Sequence, residues 1–190
     1  YYTQKQNCVA VGYQAGQTNQ NQASIAIGTN AGSANQASGA IAIGYQAGQQ
    51  QQASYSIAIG FQASQSYQSS NSIAIGYQAG QSEQGINSIA IGNAAGQVNQ
   101  PQNSIVLNAS GLTLNAATQS AFYVNPIRNA KTSGKIVYYD PATSEVIYDA
   151  SGGTASIPSG TNWADYLYWD SSNNTWAVGD PNITLGGFAG

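Results

Sequence analysis

Large and small apolar residues alternate in short triplets that recur along the first half of the chain. Ser72-Ile73-Ala74-Ile75-Gly76 is representative, and the glycine that closes the triplet returns every sixteen residues. Alternation with a period of two predicts a β-strand, and a fixed longer period predicts one short unit stacked on copies of itself. The closing glycines are Gly12, Gly28, Gly44, Gly60, Gly76 and Gly92, and Asn108 takes their place in the next copy.

Each sixteen-residue unit is therefore predicted to form one turn, or coil, of a parallel β-solenoid. We expect the large triplet residues, such as Ile73 and Ile75, to form ladders inside the coil. A second short strand is expected to begin at the aromatic residue after the glycine, such as Tyr77, and the polar stretch beyond a second glycine to be a return loop. Glycines every few residues exclude a helix.

The small residue of each triplet would then form an outward stripe, flat enough for another backbone to approach closely. Two buried isoleucines contribute only about 3 to 6 kcal/mol, whereas ordering sixteen residues costs roughly 16 to 30 kcal/mol of backbone entropy. We therefore expect several chains to pack around a common axis through this stripe, a monomer with an exposed alanine face being the alternative. The stripe comprises Ala10, Ala26, Ala42, Ala58, Ala74 and Ala90.

Composition divides the chain near residue 120. The glutamines end at Gln119, and the residues up to there carry only two charges, Lys5 and Glu83. The predicted domains are a solenoid over 1–111, a small antiparallel β module over 112–182, and the first strand of a further solenoid over 183–190. The module's expected strands are 121–127, 135–139, 145–148, 166–169 and 175–178, with turns at 140–144 and 170–174.

Charge and cysteine content exclude several classes of function. Only 6% of the residues are charged and the formal net charge is -3, so no nucleic-acid partner is expected. No apolar run is long enough for a membrane span, so no membrane insertion is expected. The single cysteine, Cys8, takes a place that other repeats give to serine, and we expect a small, at least half-buried thiol rather than a cross-link.

The triplet repeat resembles the head repeats of YadA-like trimeric autotransporter adhesins over residues 7–108. This resemblance implies a left-handed parallel β-roll, a homotrimer and a surface adhesin, although the sixteen-residue period and the glutamine-rich loops depart from that family. The stretches 103–111, 122–128 and 136–141 are similar to fibre-like surface proteins predicted in giant viruses. Together the two resemblances imply an extracellular or virion-surface location.

The last residues return to the opening pattern in phase. Residues 183–190 match 73–80 column by column, and the four residues that follow Gly186, 187–190, plus the twelve up to Gly12 complete one coil of sixteen. The chain is therefore expected to be one piece of a longer fibre, continued either covalently in tandem or end to end between subunits. The expected joint comprises Tyr1, Tyr2, Val9, Val11, Ile183, Leu185, Gly186 and Phe188.

Candidate chemistry is sparse. Without histidine, and with its one cysteine in a repeat column, the sequence lacks the usual nucleophile and metal constellations, so neither an enzyme nor a cofactor is expected. Turn signals disfavour a glycosidase-like pair among Asp165, Asp170 and Asp180, and a hairpin turn is favoured over calcium binding at Asp170, Asn173 and Asn174. Asn108, Asn173 and Asn182 fit the glycosylation sequon, which matters only in a secretory pathway.

Aromatic residues of the module are the candidate ligand contacts. They are able to stack on a sugar, although such residues more often form the core of a small β domain. The candidates are Trp163, Tyr166, Tyr168, Trp169 and Trp176.

The sequence as a whole favours a structural fibre that assembles with itself. An adhesin that binds a glycan or host surface through the aromatic module, or through the glutamine-rich loops, is the alternative. An ice-binding or amyloid-like solenoid ranks third, because threonine ladders are missing and regular corner glycines favour a folded coil.

Overall fold

A computed structural model of the chain describes residues 3–127, 137–148, 167–170 and 175–178. Over these residues the protein is all-β and contains no helix. The chain divides into two compact units, Tyr1–Arg128 and Asn129–Gly190. The first unit contains the predicted parallel β-solenoid, and the second contains antiparallel hairpins.

The triplets form one long parallel sheet, as predicted. Equivalent residues pair at the sixteen-residue spacing, so that Ile41 lies opposite Ile57 and Ala42 opposite Ala58. Eight strands spaced about 4.8 Å apart make this first sheet roughly 34 Å long. Its strands in spatial order are β1 (Val9–Val11), β2 (Ile25–Ile27), β4 (Ile41–Ile43), β6 (Ile57–Ile59), β8 (Ile73–Ile75), β10 (Ile89–Gly92), β11 (Ile105–Asn108) and β12 (Phe122–Asn125).

The second sheet lies where the sequence predicted the return loop. Residues after the first glycine, such as 77–80, form a turn, and the polar stretch beyond them forms the strand. The expected position of the second strand was therefore wrong, because two positive-φ corners, at Gly76 and Gly80, bend the chain twice before it extends again. The strands of this sheet are β3 (Ala34–Gln36), β5 (Gln50–Gln52), β7 (Ser66–Gln68) and β9 (Ser82–Gln84).

The glycine that closes each triplet is required for two reasons, as Gly60 shows. Its φ is +131°, which side chains rarely adopt. A Cβ added there would overlap the carbonyl of Gly76 in the next coil, with the carbonyl carbon only 2.8 Å away. The glycine ladder thus lets neighbouring backbones stack without side chains between them.

The interior of the coil is lined by the alanines of the triplet, and the isoleucines point outward. Ala26, Ala42, Ala58, Ala74 and Ala90 are completely buried. This reverses the predicted orientation of the strand. The physical reason is the narrow coil: a Cβ added at Gly48 would already lie 3.2 Å from the Ala42 methyl group, which leaves no room for isoleucine.

Glutamine side chains fill the rest of the interior. The Gln52 Nε2 donates to the carbonyl oxygen of Ile41 at 2.7 Å and to the Gln68 Oε1 of the next coil at 3.1 Å. These bonds replace the water that a buried amide loses. The interior glutamine ladder comprises Gln20, Gln36, Gln52, Gln68, Gln84 and Gln100, each at most 2% exposed.

The solenoid unit extends past the expected boundary at residue 111. Strand β12 pairs in parallel with β11, so that Ile105 lies opposite Phe122. This segment was expected to belong to the antiparallel module. The repeat is hard to recognise here because the spacing between paired residues grows from sixteen to seventeen. In addition, Val106 and Tyr123 take the place of the triplet alanine.

The second unit contains the two predicted hairpins, each described by its strands. β13 (Val137–Asp140) pairs antiparallel with β14 (Glu145–Tyr148), and β15 (Leu167–Asp170) pairs antiparallel with β16 (Thr175–Val178). The predicted turn at 140–144 is confirmed, and the Asp140 Oδ1 accepts a hydrogen bond from the Ala142 N–H at 2.8 Å. The predicted turn at 170–174 lies mostly outside the described residues.

Candidate functional site

The first sheet presents a broad apolar surface. The first and third triplet residues of β1, β2, β4, β6, β8 and β10 point outward, and we call them the isoleucine face. Val11 is 57% exposed, Ile27 is 37% exposed and Ile91 is 40% exposed. Because this surface continues through successive coils, it is far more than scattered surface hydrophobics.

An aromatic ladder continues the isoleucine face around the first corner. Tyr45, Phe61 and Tyr77 stack with centroid separations of 5.1 Å and 5.4 Å and interplanar angles of 16° and 11°. All three remain between 43% and 52% exposed. Because stacking covers the ring faces, the ring edges of this ladder are the part that another molecule is able to contact.

Two surface glutamine ladders follow the aromatic ladder. The Gln65 Nε2 donates to the Oε1 atoms of Gln46 and Gln49, each at 3.1 Å. Such amide chains give this side a neutral, hydrogen-bonded surface. The ladders comprise Gln46, Gln62 and Gln78, and Gln49, Gln65, Gln81 and Gln97.

A shallow groove lies on the second sheet. It has two adjoining parts, of about 380 Å³ and about 320 Å³, which share Tyr67 and Ser69. Asn35, Gln51 and Glu83 also line it, and we call it the tyrosine groove. The sequence reading missed this groove, although Tyr67 and Glu83 break a column that holds asparagine at 19, 35 and 99.

The alanine stripe is not an outer surface. The five alanines from Ala26 to Ala90 are buried within their own coils, and only Ala10, in the first strand β1, is exposed. The predicted role of these residues in packing against another chain is therefore wrong for the five buried ones. The isoleucine face is the triplet surface that another chain is able to reach.

The other predicted site residues are only partly described. Trp169 lies opposite Trp176 across the hairpin, and Tyr168 opposite Ala177, whereas Trp163 and Tyr166 lie outside the described residues. Ligand binding by these aromatics stays a prediction.

The predicted joint is likewise described at one side only. Val9 and Val11 lie exposed in β1, which has a strand neighbour on one side. The remaining joint residues lie outside the described residues: Tyr1, Tyr2, Ile183, Leu185, Gly186 and Phe188.

The candidates for acid–base and metal chemistry are only partly described. Among the described residues no cluster of histidine, cysteine, aspartate or glutamate is able to hold a metal ion. Cys8 is half-buried as predicted, with its Sγ 2.9 Å from the carbonyl oxygen of Asn21. Asp170 ends β15, and Asp165 and Asp180 lie outside the described residues.

Tyr123 lies in β12 and its hydroxyl is hydrogen bonded to the segment just before that strand. Hydrogen bonds with the Thr118 side chain and then with the Ala117 N–H lower the pKa of its hydroxyl. The oxygen accepts from the Ala117 and Thr118 N–H groups at 3.1 Å each. This contact ties the segment before β12 to the solenoid and suggests a structural role.

Comparison with protein-family models, curated proteins and solved structures finds no match to this chain. In the part of the chain that the structure describes, no helix is long and apolar enough to cross a membrane. The geometry of the surfaces is therefore the basis for assigning a function.

Proposed function

We propose that this chain is a structural piece of an extracellular or virion-surface fibre, which assembles as a homotrimer and continues end to end or in tandem. The single observation that carries the proposal is the isoleucine face. It follows the first sheet from coil to coil, and contiguous apolar surfaces of this kind mark interaction sites. Since the same surface repeats along the axis, a second copy with the same repeat is its natural partner.

The magnitude of burial supports self-assembly. Burying a whole isoleucine side chain is worth about 1.5 to 3 kcal/mol, so covering the exposed part of one like Ile27, 37% exposed, gives on the order of 1 kcal/mol. Ten isoleucines of β2, β4, β6, β8 and β10 line the face, and Ile27 is one of the two most exposed. Covering all ten therefore gives at most about 10 kcal/mol per chain before association costs.

Threefold symmetry rests on the resemblance to YadA-like heads. The isoleucine face supports association with another chain but does not by itself set the number of chains. In a parallel trimer the three faces would turn towards the common axis and leave the second sheets outside. The fibre axis would then follow the stacking direction of the coils. In this trimer the chains contact one another through the isoleucine face, and not through the alanine stripe that the sequence predicted.

Continuation along the axis rests on the edge of β1, which among the described strands pairs only with β2, and on the phase match of residues 183–190. An unpaired strand edge is a template for another strand. A further coil placed beside β1 would cover Val9 and Val11, which are 42% and 57% exposed. Both the tandem and the subunit joint place the sequence of 183–190 there.

Sedimentation equilibrium of the 190-residue chain tests the assembly. The chain should sediment as a trimer of its 19.6 kDa mass, with higher species in multiples of three. The triple variant Ile43→Asp, Ile59→Asp, Ile75→Asp should be monomeric, because charges at the isoleucine face cannot be buried unpaired.

The matched control puts the same three charges on the same three coils, away from that face. The variant Ser38→Asp, Ser54→Asp, Ser70→Asp should stay trimeric, and circular dichroism should show the wild-type β signal in both variants. A wild-type chain that is monomeric at every concentration would refute self-assembly through the isoleucine face.

The alternative function is an adhesin that uses the aromatic module. The observation in its favour is the pairing of Trp169 opposite Trp176 in one hairpin. Replacement of Trp163, Trp169 and Trp176 by leucine should abolish cell or glycan binding if this alternative holds. Unchanged binding by that variant would assign adhesion to another part of the chain.

A further inference from the structure

The chemistry of the tyrosine groove selects a neutral ligand rich in hydroxyl groups. Lys5 and Glu83 are the only charged residues of the described solenoid, and of the two only Glu83 lines the groove. An anion is therefore repelled, and a single carboxylate is a poor calcium site. The rest of the lining combines side-chain amides and the Ser69 hydroxyl, which both donate and accept hydrogen bonds, with one half-exposed aromatic ring, Tyr67, and three small residues. The small residues are Ala37, Ala53 and Gly85.

The dimensions of the groove suit a short chain of sugar units. Asn35, Gln51, Tyr67 and Glu83 occupy the same column in four successive coils, and three strand spacings of about 4.8 Å make this column roughly 14 Å long. The two volumes lie near the lower end of the range for small-molecule sites. Side chains that repeat at this interval are spaced to reach successive units of an extended oligosaccharide.

The scaffold holds the groove in place before any ligand arrives. Gln52 and Gln68 also line it, and their amides are fixed by the interior glutamine ladder. On either side of Gln51 and Tyr67, parallel pairing joins Gln50 to Ser66 and Gln52 to Gln68. A site built on a rigid surface loses less entropy on binding.

The residue type at position 67 is unfavourable for the fold itself. Tyr67 has φ +59° and Glu83 has φ +57°, a left-handed conformation in which asparagine is favoured and bulky side chains are costly. Asn35 shows that asparagine fits the same column. Left-handed non-glycine residues recur in every coil, so the conformation itself belongs to the fold, and the tyrosine at position 67 is what the fold does not require.

We propose that the tyrosine groove is a binding site for a neutral oligosaccharide. The ring of Tyr67 packs against the apolar face of a sugar, while Glu83, Gln51 and Asn35 hydrogen bond to its hydroxyls. The groove lies on the second sheet, so that this binding does not depend on assembly through the isoleucine face, and none of the lining residues belongs to the aromatic module.

The test uses the full 190-residue chain and three defined probes, the β-1,4-linked trisaccharides of glucose and of N-acetylglucosamine and the α-1,4-linked trisaccharide of glucose. Binding is measured by saturation-transfer NMR and titration. At least one probe should bind with a millimolar dissociation constant, and Tyr67→Asn should weaken that binding at least about tenfold. Glu83→Gln should weaken it less, and should improve the binding of a uronic-acid trisaccharide.

Tyr55→Asn is the matched control. Tyr55 is also exposed and left-handed, with φ +60°, and its column holds asparagine at 71, 87 and 103, but it does not line the groove. This variant should bind the probes as the wild type does. Both tyrosine variants should be at least as stable as the wild type, so a lost fold cannot explain lost binding. Equal binding by Tyr67→Asn and wild type, or no binding of any neutral probe by the wild type, overturns the proposal.

Discussion

Replacing one glutamine of the interior ladder should damage the solenoid far more than replacing a glutamine on its surface. Gln68 is 2% exposed. Its Nε2 donates to Ile57 O at 2.9 Å, Ser72 O at 3.3 Å and Gln84 Oε1 at 3.1 Å, and its Oε1 accepts from Gln52 Nε2 at 3.1 Å. Gln68→Ala removes all four bonds and leaves a cavity.

The expected loss follows from the groups left behind. A buried polar group that loses its partner costs about 1 to 3 kcal/mol. The Ile57 carbonyl loses this donor, and the Gln84 Oε1 keeps only the long hydrogen bond from the Ser64 Oγ at 3.5 Å. With the cavity contribution added, we expect Gln68→Ala to lower the free energy of unfolding by about 4 to 6 kcal/mol. Gln68→Met restores the volume without the donors and should lose about 2 to 4 kcal/mol.

Gln65→Ala is the control, because it lies in the same coil but on the surface. Its amide is half-buried and bonds only other surface glutamines, so we expect a loss below about 1 kcal/mol. Urea unfolding followed by circular dichroism, at one fixed protein concentration, measures all three variants. If Gln68→Ala is no more destabilising than Gln65→Ala, the buried ladder does not stabilise the coil.

Two further substitutions test the geometry of the coil. Gly60→Ala should lower the free energy of unfolding by more than about 3 kcal/mol, because it combines strain at φ +131° with overlap on the Gly76 carbonyl. Ser70→Ala, the control, should change it little. The same urea titration compares the two variants, and equal stabilities would contradict the proposed stacking. Ala58→Val should lower the free energy of unfolding by about 1 to 3 kcal/mol, because the larger side chain overpacks the interior. Ile59→Val should lower it less, since that side chain points outward. A thermal melt showing the reverse order would mean that the isoleucines, and not the alanines, line the interior.

Sequence reasoning was successful where the chain is locally repetitive. The spacing of Gly44, Gly60 and Gly76 predicted both the parallel register and the need for a residue without a side chain at the corner. It failed for the second strand, since β5 (Gln50–Gln52) is made entirely of a residue with no strong strand preference and is held by its neighbours β3 and β7. Tertiary pairing overrides local propensity there.

The interior glutamine ladder left a signal that was readable in advance. The column of positions equivalent to Gln52 holds glutamine in six successive coils, from Gln20 to Gln100. The column just before it varies among asparagine, glutamine, tyrosine and glutamate. A polar residue type retained at a strict structural period is typical of a buried, hydrogen-bonded ladder. The tyrosine groove had a weaker signal, since only its three-dimensional shape brings Tyr67 and Glu83 into one surface.

The sequence by itself determined the period, the strand triplets, the register and the corner glycines, because each depends on spacing along the chain. It could not determine which face of the triplet lies inside. Alternation of large and small residues shows that the strand has two different faces, but not which of them is buried. Only the tertiary structure decided that, through the width of the coil: two sheets joined by tight corners leave space for the methyl group of Ala42 and the extended amide of Gln52, and the larger isoleucines are placed outside.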